Sequence, residues 1–175
     1  MISLSIPTPE AMERFGAQLA TMLEAGDLVA LNGELGAGKT TMTRGLGAAL
    51  GVRGAVTSPT FVLARTHPRL DGGAPLVHVD AYRLSSPAEL DDLDIDYPAS
   101  IVVVEWAAGM LDGLTDSWLD VTIERPVGGT VGGAEAGGAD IDGAGFDDVA
   151  EPRAVIITPH GSRWTGLLAS GWPAG

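Results

Sequence analysis

The chain has 175 residues, 45% of them hydrophobic, enough for one domain with its own core and too apolar for a disordered segment. Its 23 acidic and 10 basic residues leave a formal charge of −13, which excludes a generic nucleic-acid binder, because gripping a phosphate backbone takes clustered cations. An RNA pathway stays open if another subunit holds the RNA, and the absence of cysteine removes disulfides, thiolate zinc sites and thiol catalysis.

Residues 1–10 have neither the basic region nor the apolar stretch of a signal peptide. No apolar run elsewhere approaches the ~20 residues of a membrane span. A cytoplasmic protein without membrane contact is expected. The first predicted helix opens with Thr8 as N-cap and Pro9 in the first turn. Met12, Phe15, Leu19, Met22 and Leu23 then recur at three- and four-residue spacing until Gly26 ends the run. Residues 27–32, centred on Leu28-Val29-Ala30-Leu31, read as a buried strand that runs straight into a glycine loop. Residues 39–50 read as a helix stopped by Gly51.

Residues 56–63 contain Thr57-Ser58-Pro59-Thr60-Phe61, where proline forces an extended or turned backbone. Two apolar stretches then end in acids. Residues 75–79 lead to Asp80, and Ile101-Val102-Val103-Val104 leads to Glu105. The second is β-branched throughout and suits a central strand buried on both faces. Between them, residues 87–93 predict a short helix starting after Ser86. Leu119, Val121 and Ile123 alternate with polar residues as a half-buried strand does, and residues 154–157 are its expected partner. Residues 127–150 hold eight glycines, five alanines, five acids and no base, and we read them as a flexible acidic tip on a long hairpin. The tail from Thr165 onward is expected to fray. The whole pattern predicts a single α/β domain over residues 1–175. Its core is P-loop NTPase-type and three-layered α/β/α, with a mainly parallel sheet and an appended antiparallel hairpin.

The chemistry concentrates at Gly33-Glu34-Leu35-Gly36-Ala37-Gly38-Lys39-Thr40, which spells the phosphate-cradling G-x-x-x-x-G-K-T and runs on into Thr41. Strand, glycine loop and helix in that order are the context this motif requires. Gly33, Gly36 and Gly38 permit backbone turns that aim N–H groups inward, and the following helix adds its dipole. Lys39 is the only lysine in a chain with nine arginines. Its ammonium is a compact charge that can reach between the β- and γ-phosphates, where a planar guanidinium fork fits poorly. The Thr40 hydroxyl suits Mg²⁺. The metal needs a second anionic arm at the end of a neighbouring strand, and Asp80 and Glu105 both qualify. Glu105 follows the stronger apolar run and is favoured for Mg²⁺, leaving Asp80 to orient water or a hydroxyl, or to share the metal's water shell. A guanine-reading N-K-x-D cannot occur without a second lysine, so ATP is favoured as the nucleotide.

Other residues allow more than one reading. His78 shares a strand face with Asp80 and could tune it, although packing or a plain hydrogen bond is the commoner role. His67 and His160 fall in expected loops, and the three histidines show no metal-ligand spacing. Trp106 lies next to the expected site as a gate, a partner contact or a core-edge aromatic. Arg44 and Arg83 could touch phosphate, anchor a partner or form structural ion pairs. Arg65 and Arg69 flank Pro68 and could form the arginine-bearing lid of a small-molecule kinase, a rival to the ATPase reading. A nucleotide-gated binding module with little turnover is a third possibility.

Four motifs in order, G-E-L-G-A-G-K-T-T from Gly33 to Thr41, S-P-T-F from Ser58 to Phe61, H-V-D-A-Y-R-L from His78 to Leu84 and V-E-W from Val104 to Trp106, resemble the bacterial TsaE (YjeE) family. The resemblance implies a small P-loop ATPase needed to make threonylcarbamoyladenosine (t6A), the modified adenosine beside the anticodon in tRNAs reading codons that begin with A. It implies two partner proteins, TsaD and TsaB, with TsaD carrying the transfer chemistry and tRNA reached only through the complex. ATP hydrolysis on that complex would reset it between turnovers. Carried over by position, the resemblance makes Lys39 and Asp80 catalytic, Gly33 to Thr41 and Asp80 nucleotide-binding, and Thr40 and Glu105 the Mg²⁺ pair. Ser58 to Phe61 resembles a switch-like segment facing phosphate and partner. Residues 127–150 depart from the family's compact hairpin, and the family's further nucleotide contacts would fall near Glu151 and Arg153.

Overall fold

The computed structural model describes residues 1–111, 113–125, 151–169 and 171–172. The elements run β1 (Ile2–Ile6), α1 (Pro9–Ala20), β2 (Leu28–Asn32), α2 (Lys39–Leu50), β3 (Ala64–His67), β4 (Leu76–Asp80), α3 (Pro87–Asp91), β5 (Ile101–Glu105), β6 (Trp118–Glu124), β7 (Arg153–His160) and α4 (Gly161–Leu167). They build one seven-stranded sheet in the order β1-β7-β6-β2-β5-β4-β3. The strands β6, β2, β5 and β4 are mutually parallel, and the outer pairings of β3, β7 and β1 are antiparallel.

The apolar runs read as buried strands are buried on both faces because helices cover both. Val29, Leu31, Ile101, Val103, Leu119 and Val121 pack with Met12, Phe15, Leu19, Met42 and Leu46 of α1 and α2. Leu28, Ala30, Val77, Val79, Val102 and Val104 pack on the other side with Leu90, Ala107 and Leu111. This is the three-layer P-loop arrangement the sequence predicts. Parallel neighbours in register put Asp80 directly beside Glu105, and Leu31 beside Glu105 on its other flank. The carboxyl ends of β2, β4 and β5 therefore meet where the glycine loop leaves β2. Open α/β sheets place their ligand crevices at this edge.

Helix α1 opens as expected, with Thr8 Oγ1 accepting from the Ala11 N–H at 3.1 Å. It stops at Ala20, earlier than the periodicity implied. The Thr21 N–H turns to the Gln18 and Leu19 carbonyls and its hydroxyl donates to Gln18 O at 2.8 Å, closing the last turn. Met22 and Leu23 still pack on the core, from the turn that follows. The two helices cross at glycines: a Cβ on Gly16 would meet the Met42 carbonyl, and one on Gly45 the Glu13 carbonyl.

Two strands were not foreseen. In β1, Ile2, Leu4 and Ile6 alternate with serines and pair with β7, Ile2 opposite Ile157. In β3 there is no alternation to read, and it exists because the open edge of β4 has backbone groups to satisfy. Among the described residues of the tail, the expectation of fraying is overturned. Trp164 in α4 is fully buried, Leu168 joins the same core, and Trp172 stacks on Phe15 with ring centroids 4.8 Å apart. Arg163 seals this docking by a two-armed bond to the buried Asp27, at 2.5 Å on each arm. The hairpin expectation holds and lengthens, with Trp118 paired to His160 at one end and Glu124 to Ala154 at the other. The acidic stretch 127–150 lies outside the described residues. No helix among the described residues is long and apolar enough to cross a membrane.

Candidate active site

The loop between β2 and α2 is shaped by three left-handed glycines, Gly33 at φ 143°, Gly36 at 75° and Gly38 at 116°. Gly33 has a second reason to lack a side chain, since a Cβ there would strike the Ile123 carbonyl on β6. Gly38 caps α2 without any side-chain hydrogen bond. The first N–H groups of a twelve-residue helix therefore point, uncapped, at the loop's hollow, an arrangement built for an anion. That hollow is a cleft of about 200 Å³ lined by Leu35 to Thr41 together with Ser58, Thr60, Asp80, Glu105 and Trp106. A second pocket of about 110 Å³ lies on the far side of the same loop, between Thr8, Pro9, Met12, Gly36 to Gly38, Thr41 and Arg153.

Lys39 is buried and bent back on its own loop. Its Nζ donates to the Gly33 carbonyl at 2.7 Å and the Glu34 carbonyl at 3.0 Å. Trp106 covers it, the ammonium lying 3.8 Å from the ring centroid. Trp106 itself takes φ 60°, uncommon for so large a residue, and Tyr82 packs against its ring. The gate reading of Trp106 thus has a geometric basis. Burial pushes the Lys39 ammonium below the ordinary lysine value of 10.5, with Glu105 and Asp80 pulling the other way. A bound phosphate favours the charged form. Phosphate affinity should therefore be flat while free Lys39 is protonated and fall as pH rises through its depressed pKa, by up to about tenfold per pH unit. A nucleotide Kd measured against pH should begin to rise below pH 10.5. A Kd that stays level up to that value would contradict this assignment.

The two strand-end acids do different things. Glu105 Oε1 accepts from the Thr40 hydroxyl at 2.9 Å and lies 2.8 Å from His78 Nε2. Asp80 Oδ2 accepts from the Thr60 hydroxyl at 2.5 Å, and its Oδ1 accepts from the Tyr82 N–H at 3.0 Å. The S-P-T-F segment is thereby tied to the floor of the cleft. Ser58 and Thr60 share a hydrogen bond of 2.7 Å, and Arg83 holds the Thr60 carbonyl. Thr40 and Glu105 are hard oxygen donors side by side beneath the anion hollow. Among the described residues no cluster of three or more His, Cys, Asp or Glu is poised to cage a metal. This donor set fits Mg²⁺, which keeps its waters and takes one or two protein oxygens beside phosphate.

Several residues sit elsewhere than expected. His78 bonds Glu105 and not Asp80. His67 ends β3 in a buried position instead of a loop, and burial pushes its ring below the usual histidine value. His160 ends β7 and stacks on Trp118 at 4.1 Å. Arg44 pairs with Glu13 on the surface. The kinase-lid idea loses its arginines. Arg65 belongs to β3 and donates to Thr57 Oγ1 at 2.9 Å, Arg69 pairs with Asp71, and neither lines the cleft. Arg153, near which the family resemblance puts further nucleotide contacts, does approach the loop, on the side of the smaller pocket.

Comparison with known proteins agrees with this geometry. The family model for threonylcarbamoyl adenosine biosynthesis protein TsaE matches residues 6–129. The curated TsaE of Streptomyces coelicolor is 53% identical over 156 residues, covering 87% of this chain and 93% of that protein. TsaE of Mycobacterium tuberculosis is 46% identical over 69% of this chain and 77% of its own. TsaE of Bacillus subtilis is 36% identical over 67% of this chain and 73% of its own. The crystal structure of Bacillus subtilis YdiB superposes with a TM-score of 0.67 at 27% identity, covering 97% of this chain and 92% of that one. The matched span begins in β1 and takes in the glycine loop, both strand-end acids and the first arm of the hairpin, so the chain belongs to the TsaE family of threonylcarbamoyladenosine biosynthesis proteins.

Proposed function

We propose that this chain is a Mg²⁺-dependent ATPase subunit of tRNA t6A formation, hydrolysing ATP on a TsaD–TsaB complex and resetting it between turnovers. One observation carries the reading: Lys39, Thr40, Asp80 and Glu105 line a single cleft around an uncapped helix N-terminus. In it Lys39 neutralises the terminal phosphates, and Thr40 with Glu105 would hold Mg²⁺, which supplies charge to the leaving phosphate oxygens. The pocket beyond the loop, with Met12 as its apolar wall and Arg153 at its rim, would take the ribose and base. Asp80 orients the attacking water, since its Oδ2 can accept a second hydrogen bond beside the one from the Thr60 hydroxyl. That Thr60 contact ties the acid to the S-P-T-F segment and would couple hydrolysis to whatever grips the segment.

The surface around the cleft supports a protein partner. Phe61 is 92% exposed and Leu35 85%, and Val62 and Tyr82 are exposed beside them. Four large apolar side chains ringing a nucleotide cleft suit a surface that is covered in the working complex. The partner would carry the tRNA, which reconciles a strongly acidic chain with RNA modification.

The deciding experiment is Mg²⁺-ATP hydrolysis by this chain alone and with TsaD and TsaB, using wild type and Asp80→Ala. The variant should bind nucleotide within about threefold of wild type and lose stimulated turnover by about a hundredfold or more. Normal t6A formation by Asp80→Ala would replace the ATPase with a nucleotide-gated binding module. A phosphorylated metabolite without partner stimulation would replace it with a kinase.

A further inference from the structure

The position of His78 needs a reason. It sits mid-strand in β4 between Leu76 and Asp80, on the face that packs toward α2, with no exposed surface at all. A leucine would fill that position without burying polar atoms. The imidazole instead buries two nitrogens and satisfies one. Nδ1 has no partner, while Nε2 lies 2.8 Å from Glu105 Oε1. An ionised carboxylate only accepts, so Nε2 carries the proton and donates. Desolvating Nδ1 for no return is a standing cost, and the single thing gained is a hold on Glu105.

That hold is specific in direction. The same oxygen, Oε1, also accepts from Thr40 at 2.9 Å. One donor comes from α2 and the other from β4, on opposite sides of the carboxylate. Together they fix a side chain with three rotatable bonds that stands where β5 gives way to the left-handed Trp106. The remaining oxygen, Oε2, has no hydrogen bond among the described residues, and Glu105 lines the cleft.

We propose that His78 is a positioning residue, pinning Oε1 of Glu105 so that Oε2 is presented to the divalent cation that accompanies the nucleotide phosphates. The proposal rests on the reading of Glu105 as the metal-side carboxylate. His78 touches neither metal nor nucleotide. It spares the site the entropy of ordering a free carboxylate when the metal arrives, as buried donors behind metal ligands do.

The test compares two isosteres in the full-length chain. Glutamine at position 78 places an amide nitrogen where Nε2 was, and asparagine places its amide near Nδ1, short of Glu105. Both bury an amide, so the folding burden is similar. Mn²⁺ binding to the protein–ADP complex, followed by electron paramagnetic resonance, reads the site without turnover. His78→Asn should weaken Mn²⁺ binding about tenfold. His78→Gln should stay within about threefold of wild type, and metal-free ADP should bind all three proteins alike. Equal Mn²⁺ affinity in the two variants overturns the proposal. Glu105→Gln separates the layers: unchanged Mn²⁺ affinity there rejects Glu105 as the metal arm, and the role of His78 with it. Weakened affinity there beside indistinguishable Asn and Gln variants rejects His78 alone. Wild type supplies a check free of folding effects, because the His78 Nε2–H resonance should shift when Mg²⁺ joins the ADP complex, and a stationary resonance overturns the idea.

Discussion

Lys39→Ala should weaken ATP binding by about a hundredfold, roughly the ~1.5–3 kcal/mol carried by hydrogen bonds to charged groups. The loss should be much smaller for AMP, which lacks the β- and γ-phosphates that the ammonium is placed to reach. The geometry explains why no other cation can step in. The chain has no second lysine, and the arginines nearest the cleft are committed, Arg83 to the Thr60 carbonyl and Arg153 to the Glu151 carbonyl. Arginine at position 39 should not rescue binding, because a guanidinium is too broad to lie between the Gly33 and Glu34 carbonyls and the Trp106 ring. Titration with a fluorescent ATP analogue and a fluorescent AMP analogue measures both ratios. Wild-type ATP affinity in Lys39→Ala would end the P-loop mechanism.

Gly45→Ala should be the most damaging single methyl in the described structure. The added Cβ meets the Glu13 backbone, which has no flexible end to swing away, so α1 and α2 must part. Gly16→Ala does the same from the other helix, against the Met42 carbonyl. Overpacking of this kind costs about 3 kcal/mol or more, a fall in Tm of roughly 6–12 °C for a chain of this size. Gly166→Ala is the matched control. It lies in α4 with open space around its Cβ, and better helix propensity should leave stability level or up to about 1 kcal/mol higher. Thermal melts of the three variants decide the matter, and a Gly45→Ala protein as stable as wild type would mean that the helix crossing is looser than described. Because α2 carries Lys39 and Thr40 at its first turn, the same variant should also bind nucleotide poorly before it melts.

What the sequence made legible followed from strong local signals. The glycine loop, its flanking strand and helix, and the two strand-end acids were found because each combines an unmistakable apolar run with a residue type that only its chemistry explains. Their meeting in one cleft was a consequence of parallel register, which periodicity does not encode. The β-branched run before Glu105 marked a central strand, and β5 does lie between β2 and β4. The misses have distinct causes. Ile2, Leu4 and Ile6 alternate plainly, but five residues with no partner in view carry little weight. Ala64-Arg65-Thr66-His67 becomes a strand through its neighbour's unpaired backbone, a tertiary cause invisible locally. Trp164, Leu168 and Trp172 recur every four residues, but a short apolar spacing near a chain end carries little weight against the tendency of terminal segments to fray. The bond from His78 to Glu105 could not be read from spacing, since it crosses between strands whose order was unknown.

The closing of the sheet has a consequence for how the chain comes to be folded. The strand that carries the glycine loop, β2, acquires β5 on one side and β6 on the other, both made long after it. β1 must wait for β7, about 150 residues later in the chain, and Asp27 must wait for Arg163. Pairings so distant in sequence have a high loop-closure cost and form late. Until β7 arrives, β6 and β1 each present an unsatisfied backbone edge, open to strands of other chains. Nucleotide binding competence should therefore appear all at once, only after β7 has been made, and the interval before it is when the nascent protein depends most on being kept apart from its neighbours.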